Sequence, residues 1–208
     1  VVLLSGCDKT TPAMLMGAAS ANIPTILLPG GPSLRGDWKG QELGSCTDCR
    51  RFWTELRAGN ITQDDYDSME ESIYRSPGHC MVAGTASTMS VISEAMGLTL
   101  KGAASIPAVD SRRLTLSNKT GQRIVEMVNE NIKIENFLKK ENFHNGISAL
   151  MSFGGSTNAI IHMLAIAGRT DVNIDLDDFN AISEKTPVIV NLKPAGEMLM
   201  EDLHYAGG

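Results

Sequence analysis

Four short apolar runs divide the chain, at residues 1–4, 23–28, 98–106 and 187–192. Each run has the length of a buried strand and is bounded by turn-forming residues. Helical patterns lie between the runs, and alternation of strands and helices is typical of the α/β class. We therefore predict a single α/β domain over residues 1–208, with three layers, a mainly parallel sheet and helices on both faces.

The helices are predicted from apolar spacing and from start signals. Thr10 precedes Pro12, so a helix with a Thr cap and Pro in its first turn is expected there. Thr62 and Asp65 have the spacing of a capping box. Residues 29–48 are Gly-rich and predict a long irregular loop, which is functional or mobile. The predicted helices cover residues 10–21, 49–58, 63–74, 84–96, 112–131, 140–151 and 156–168.

Composition and charge exclude some function classes. Hydrophobic residues make up 42% of the chain, charged residues 20%, and the net charge is −6. No cluster of Lys and Arg is present to neutralise phosphates, so no nucleic-acid partner is expected. No apolar run reaches the roughly 20 residues of a membrane span, and no signal peptide opens the chain. We expect a cytoplasmic protein that does not bind a membrane.

All four cysteines fall in the first half of the chain, at Cys7, Cys46, Cys49 and Cys80. Without a secretory signal, metal binding or catalysis is a more common role for them than disulfide formation. Cys46 and Cys49 form one C-x-x-C, whose spacing suits zinc, a cluster or a redox pair. A zinc- or redox-binding module is therefore one alternative, and two unpaired loop thiols are another.

One pattern occurs three times, in residues 6–11, 78–88 and 154–158. In each, a Gly-rich loop leads into an apolar helix with small polar residues in its first turn. A helix start exposes free N–H groups and the positive end of a dipole, so three converging starts would bind an anion. The same residue types also cap helices that bind nothing, and for any single segment that reading stays open.

Cys7, Asp8 and Lys9 bring different ligand chemistries together. A thiolate is a soft ligand suited to iron–sulfur or zinc sites, and a carboxylate is a hard ligand suited to Mg²⁺. A lysine beside a cation needs to lose its charge, which carbamylation achieves. The alternative is a loop cysteine beside a solvated Asp–Lys pair. His162 lies in an apolar helical segment and is interpreted as a core histidine.

As a set, these motifs resemble the dihydroxy-acid dehydratase and phosphogluconate dehydratase family, and the resemblance covers essentially the whole chain. Gly78-His79-Cys80 and the segment 84–89, with Gly44-Ser45 and Thr47-Asp48, are most similar to the sugar-acid (aldonate) branch. A dihydroxy-acid dehydratase of branched-chain amino-acid biosynthesis is the alternative. The matching segments are residues 5–13, 78–80, 84–89, 154–159, 194–196, 201–202 and 206–208.

The resemblance implies a hydro-lyase that converts a 2,3-dihydroxy acid, a small-molecule substrate, to a 2-keto-3-deoxy acid. It implies an Fe–S cluster, 2Fe–2S in preference to 4Fe–4S, and Mg²⁺. The chain is expected to be part of the N-terminal domain of a longer homo-oligomeric protein. A β-rich C-terminal domain would lie outside it, so these residues alone are expected to be inactive.

The resemblance also implies roles for single residues. Cys7 and Cys80 would be two of three cluster ligands, and Asp8 and carbamylated Lys9 would bind Mg²⁺. Cys46 and Cys49 depart from the family pattern and are either bystanders or a perturbation of the cluster. The implied catalytic residues are Lys9, Ser156 and Thr157, and the implied loop for the substrate anion is Thr10, Gly155 and Ser156.

Overall fold

The computed structural model describes residues 1–208 and confirms a mixed α/β chain with a small parallel sheet. Strands β1 (Val2–Ser5) and β2 (Ile26–Pro29) pair in parallel, as the first two apolar runs predict. Strands β3 (Gly36–Trp38) and β4 (Gln41–Leu43) form a separate antiparallel hairpin. The expectation of an irregular loop over residues 29–48 is therefore wrong in part, because this hairpin lies within it.

Nine α-helices form half of the chain, and the seven predicted ones are all present. The second helix begins at Ser45, four residues earlier than predicted, so the C-x-x-C motif is helical and is not in a loop. The predicted capping box is present before the third helix. No helix has both the length and the hydropathy that a membrane crossing requires. The helices are α1 (Thr10–Ala21), α2 (Ser45–Arg57), α3 (Gln63–Ile73), α4 (Thr85–Ala95), α5 (Ser111–Asn129), α6 (Lys140–Phe153), α7 (Asn158–Ala167), α8 (Leu176–Ser183) and α9 (Met200–Tyr205).

The strands predicted at residues 98–106 and 187–192 are absent. Turns occupy most of the first segment, and side chains satisfy several of its backbone groups. Glu94 accepts hydrogen bonds from two of its N–H groups, at 2.6 and 2.9 Å, and the buried Arg113 donates to two of its carbonyl oxygens. Most of the second segment is not buried, since Val188 and Ile189 are 63% and 74% exposed, and only Leu192, at its end, is buried in a core cluster.

The main hydrophobic core lies between α1, α4, α6, α7 and α8 and includes Leu15, Met89 and Met163. Helix α4 packs on α6, and α1 packs on α7. A smaller cluster around Phe52 and Met69 joins α2 to α3. The main core fixes the positions of α1, α4 and α7 relative to one another, and these are the three helices that follow the Gly-rich loops.

Candidate active site

The loop between β1 and α1 presents Cys7, Asp8 and Lys9. The Thr10 hydroxyl closes this loop, because it accepts a hydrogen bond from the Cys7 N–H at 2.9 Å and donates one to the Cys7 carbonyl at 2.8 Å. Lys9, and not Thr10, occupies the N-cap position, which corrects the predicted Thr cap. Cys7 is exposed, and the Lys9 ammonium lies 3.4 Å from the Asp8 carboxylate. The Thr10 hydroxyl is thus engaged within the loop.

Cys80 lies in a loop that is fixed by backbone pairing. The His79 N–H donates to the Gly31 carbonyl, and the Ser33 N–H donates to the His79 carbonyl, both at 2.9 Å. Gly78 has φ +133°, and a Cβ there would lie 2.4 Å from the Ser33 nitrogen, so this position requires glycine. Burial lowers the pKa of His79, whose ring Nδ1 lies 3.0 Å from the Cys80 carbonyl. These contacts hold Cys80 ahead of the start of α4.

Side chains near the start of α2 and the end of α3 surround the Cys80 thiol. The Ser45 hydroxyl oxygen lies 2.5 Å from the Cys80 sulfur. Burial raises the pKa of the Tyr74 phenol, and the negative charge of the Cys80, Cys46 and Cys7 thiolates raises it further. Three of the four thiols therefore lie near enough to the Tyr74 phenol to influence its pKa.

The start of α7 contacts the start of α4. The Ser156 hydroxyl lies 2.9 Å from the Thr85 hydroxyl, and the Ser156 N–H donates to the Thr88 hydroxyl at 3.1 Å. Gly155 packs directly on Thr88, since a Cβ there would lie 2.6 Å from Thr88 Cγ2. Thr157 is exposed at the N-cap position of α7. A cavity of about 230 Å³ borders Gly155, Ser156 and Thr157.

The start of α1 contacts α7 through a histidine. His162 is half-buried on α7, and its Nε2 lies 3.3 Å from the Lys9 side-chain nitrogen. Burial and the positive charge of Lys9 lower the pKa of His162. The interpretation of His162 as a core histidine is therefore wrong. No local sequence signal could have shown its role, because the two residues lie 153 positions apart.

Two of the three Gly-rich helix starts, those of α4 and α7, are in direct contact, and the start of α1 reaches α7 through Lys9 and His162. Helices α1, α4 and α7 have neither an acidic residue in the first turn nor a side-chain cap. Helices α3 and α8, by contrast, have both. The first N–H groups of α1 donate to the Cys7 carbonyl and those of α7 donate to Ser156 and Thr157, so only α4 has its first N–H groups without a partner. All three starts still direct the positive end of a helix dipole toward an anion. The field at this site therefore favours a negatively charged ligand.

A buried carboxylate, which sequence reasoning noted only as part of a motif, fixes the start of α2. Asp48 accepts hydrogen bonds from the Gly44 N–H at 2.6 Å, from Lys193 Nζ at 2.8 Å and from Arg51 Nη2 at 2.9 Å. Burial alone would raise its pKa, but these hydrogen bonds outweigh it and hold the pKa below its usual value. This network positions Ser45 beside the Cys80 loop.

Comparison with known proteins identifies the family. The model described as "Dihydroxy-acid/6-phosphogluconate dehydratase N-terminal" matches residues 1–208. The chain belongs to this family. It is 48% identical to the L-arabinonate dehydratase of Rhizobium leguminosarum bv. trifolii (strain WSM2304) and 44% identical to the 6-deoxy-6-sulfo-D-gluconate dehydratase of Pseudomonas putida. It is also 44% identical to the dihydroxy-acid dehydratase of Sulfurisphaera tokodaii.

In each comparison the whole of this chain is aligned, and it spans 36–37% of the length of these relatives. The membership that the motifs predict is thus confirmed. The three names include two sugar-acid dehydratases and one dihydroxy-acid dehydratase, at similar identities. Membership of the dihydroxy-acid/6-phosphogluconate dehydratase family therefore does not by itself distinguish the two substrate classes.

The two cysteines of the C-x-x-C motif have different surroundings. Cys46 is exposed, and burial together with the nearby Cys80 thiolate raises its pKa. Cys49 is half-buried, packs against the α2–α3 cluster and lies 3.7 Å from the Tyr66 hydroxyl. The motif thus does not present two equivalent free ligands, and its geometry does not favour a zinc or redox module.

The donor set fits the cofactors that the family resemblance implies, but only in part. Cys7 and Cys80 provide thiols, which suit an iron–sulfur cluster, and Asp8 provides a carboxylate, which suits Mg²⁺. No three or more His, Cys, Asp or Glu side chains form a group that could hold a metal ion. The chain therefore has donors of the types that these cofactors require, without a complete ligand group for either.

Proposed function

We propose that the complete protein containing this chain dehydrates a 2,3-dihydroxy acid, specifically a sugar acid (aldonate), to a 2-keto-3-deoxy acid. The observation that carries this proposal is the association of three Gly-rich helix starts without side-chain caps, in which α7 contacts both α4 and the start of α1. One bears Cys7, Asp8 and Lys9, the second follows Cys80, and the third follows Ser156. The names of the L-arabinonate and 6-deoxy-6-sulfo-D-gluconate dehydratases support a sugar acid as the substrate.

Cys7 and Cys80 would hold an iron–sulfur cluster, a 2Fe–2S cluster in this proposal, and Asp8 and carbamylated Lys9 would hold Mg²⁺. When bound, these groups supply Lewis acidity toward the departing hydroxyl and positive charge beside the substrate carboxylate. The Cys7 thiol is a soft donor, and the carboxylate of the next residue, Asp8, is a hard donor. Two adjacent donors of different types support two different metals at one site. Carbamylation converts the Lys9 ammonium, which would repel Mg²⁺, into an anionic oxygen ligand.

The helix starts would bind and orient the acid substrate. Each helix start carries about half an elementary charge, so three together offset the charge of one carboxylate. The net charge of −6 does not cancel this field, because charges farther away than about 8 Å are largely screened at physiological ionic strength. Anion binding therefore depends on the groups that contact the anion at the site, and not on the net charge of the chain.

Two hydroxyl groups at the third start are suited to contact the substrate. The Ser156 oxygen accepts a hydrogen bond from the Asn158 N–H at 3.3 Å and lies beside Thr85, so its position is fixed. The hydroxyl of Thr157 is exposed and has no cap hydrogen bond within its own helix. We propose that Ser156 orients the substrate and that Thr157 donates a hydrogen bond to one of its oxygens.

The direct test is an assay of the complete protein, purified without oxygen and supplied with Mg²⁺. Release of 2-keto acid is measured for a panel of aldonates and for 2,3-dihydroxyisovalerate. Turnover of an aldonate is the expected result. Turnover of dihydroxyisovalerate alone would support the alternative, a dihydroxy-acid dehydratase of branched-chain amino-acid biosynthesis, toward which the Sulfurisphaera tokodaii relative points. No keto acid from any substrate, with iron and sulfide present, would contradict the proposed reaction.

A further inference from the structure

The contact between His162 and Lys9 suggests a role for the histidine. His162 Nε2 lies 3.3 Å from Lys9 Nζ. We infer that His162 is a positioning residue, which holds the Lys9 nitrogen in the geometry that its carbamate requires. This inference rests on the proposed function, in which Lys9 is carbamylated and binds Mg²⁺.

Lys9 needs such a partner because its own side chain is mobile. Its side chain is 66% exposed, and a free lysine has several rotatable bonds whose ordering costs entropy. His162, by contrast, lies on a helix anchored by the buried Met163 and Ile166. The imidazole is therefore the more rigid member of the pair and can fix the position of the flexible one.

Asp8 is a poorer partner for this purpose, although it lies 3.4 Å from the Lys9 nitrogen. Its oxygens are needed for Mg²⁺ in the proposed site. A carbamate is also anionic, so it repels a neighbouring carboxylate but not an imidazole that acts as an uncharged hydrogen-bond acceptor. His162 can keep the same contact before and after the modification.

The chemistry of the modification fits this geometry. The neutral amine of Lys9 attacks CO₂ with its lone pair, so an N–C bond forms and one C=O electron pair moves onto oxygen. The nitrogen then loses one proton to solvent water, which gives an anionic carbamate with one remaining N–H. An amine that donates an N–H to His162 Nε2 keeps its lone pair free for CO₂. The carbamate N–H can then donate to the same ring nitrogen.

The test measures the carbamate itself in the complete protein, without its metals. Protein equilibrated with ¹³C-labelled bicarbonate is examined by ¹³C NMR, with Lys9→Ala to assign the Lys9 carbamate signal. His162→Leu removes the hydrogen bond, and in His162→Asn the side chain is too short to reach Lys9. In His162→Gln, the side-chain carbonyl oxygen can lie near the position of Nε2. His144→Gln is the matched control, because His144 is on α6 and pairs with Asp178 away from this site.

We expect the Leu and Asn variants to need about fivefold to tenfold more bicarbonate for half-maximal carbamate, the effect of one lost hydrogen bond. For the His162→Gln variant and the His144→Gln control, the bicarbonate concentration at half-maximal carbamate should stay within about twofold of the wild-type value. If the Leu and Asn variants both reach half-maximal carbamate at the same bicarbonate concentration as the wild type, the inference is overturned. The proposed function would remain intact. Absence of a Lys9 carbamate from the wild-type protein, both without metals and after addition of Mg²⁺, would overturn the role of Lys9 in the proposed function as well.

Discussion

The carboxylate of Asp48 lies 2.8 Å from the side-chain nitrogen of Lys193. The Lys193 carbonyl in turn accepts a hydrogen bond from the Ala83 N–H at 2.8 Å, in the segment that joins Cys80 to α4. One residue thus connects the start of α2 to the loop of a candidate cluster ligand. The Asp48 side chain is only 4% exposed, so this ion pair is largely shielded from solvent screening.

Replacing Asp48 with Asn should destabilise the protein and loosen the Cys80 loop. The substitution leaves the Lys193 charge, whose side chain is 19% exposed, without its partner. Breaking a buried pair in this way typically costs about 3 kcal/mol or more. Urea unfolding of the complete protein at pH 7 measures the loss. A difference below about 0.5 kcal/mol, the size expected at the surface, would contradict the role assigned to Asp48.

The contribution of Asp48 should also depend on pH. Its folded-state pKa is below the ordinary value of about 3.9, so the unfolded chain takes up its proton at a higher pH than the folded chain does. The stabilisation is therefore complete above about pH 4 and is lost as the pH falls through the folded-state pKa. We expect the difference in unfolding free energy between wild type and Asp48→Asn to narrow from pH 5 to pH 3. A constant difference over this range would mean that the carboxylate charge is not its source.

Two glycines provide a matched test of the third helix start. A Cβ at Gly155 would lie 2.6 Å from Thr88 Cγ2 and 2.8 Å from Leu150 Cδ1, whereas a Cβ at Gly121, on α5, meets nothing within 4 Å. Gly155→Ala should lower stability by about 1 to 3 kcal/mol through overpacking and should reduce dehydratase activity. Gly121→Ala should raise stability by about 1 kcal/mol, because alanine favours a helix. Thermal unfolding measures both, and equal shifts in the two variants would contradict the close packing at Gly155.

The turns at residues 100–106 should depend on Glu94. Its carboxylate accepts hydrogen bonds from the Gly102 and Ala104 N–H groups, and Glu94→Ala leaves both groups without this acceptor. We expect a loss of about 2 to 4 kcal/mol and faster hydrogen exchange at these two amides. The control is Glu126→Ala, which removes an exposed ion pair with Arg123 and should cost less than about 1 kcal/mol. Unchanged exchange at Gly102 and Ala104 would show that other contacts hold the turns.

Local patterns in the sequence were enough to predict many elements. The parallel pair β1–β2 follows from two apolar runs, and the start of α3 follows from Thr62 and Asp65, which form the capping box. The Gly-rich loops before α1, α4 and α7 also follow from motifs, because each motif contains its own loop and helix start. In these cases the determining contacts are local in the sequence.

The errors arise where a distant side chain replaces a local signal. Residues 98–106 have the composition of a strand, but Glu94 and Arg113 bond their backbone groups and stabilise turns. Helix α2 begins at Ser45, where Asp48 accepts the Gly44 N–H and is itself held by Lys193, 145 positions away. His162 seemed to be a core residue because its partner is 153 positions away. Neither hydrophobic periodicity nor secondary-structure propensity can predict such contacts.

The most direct test of the central claim is analysis of iron and acid-labile sulfide in the complete protein, purified without oxygen. The account predicts equal amounts of iron and sulfide in the wild type and loss of both in Cys7→Ser and in Cys80→Ser. Cys49→Ser is the matched control and should retain both, because Cys49 packs beside Tyr66 in the α2–α3 cluster. One zinc ion per chain without sulfide, or full iron content in both Cys7→Ser and Cys80→Ser, would contradict the account.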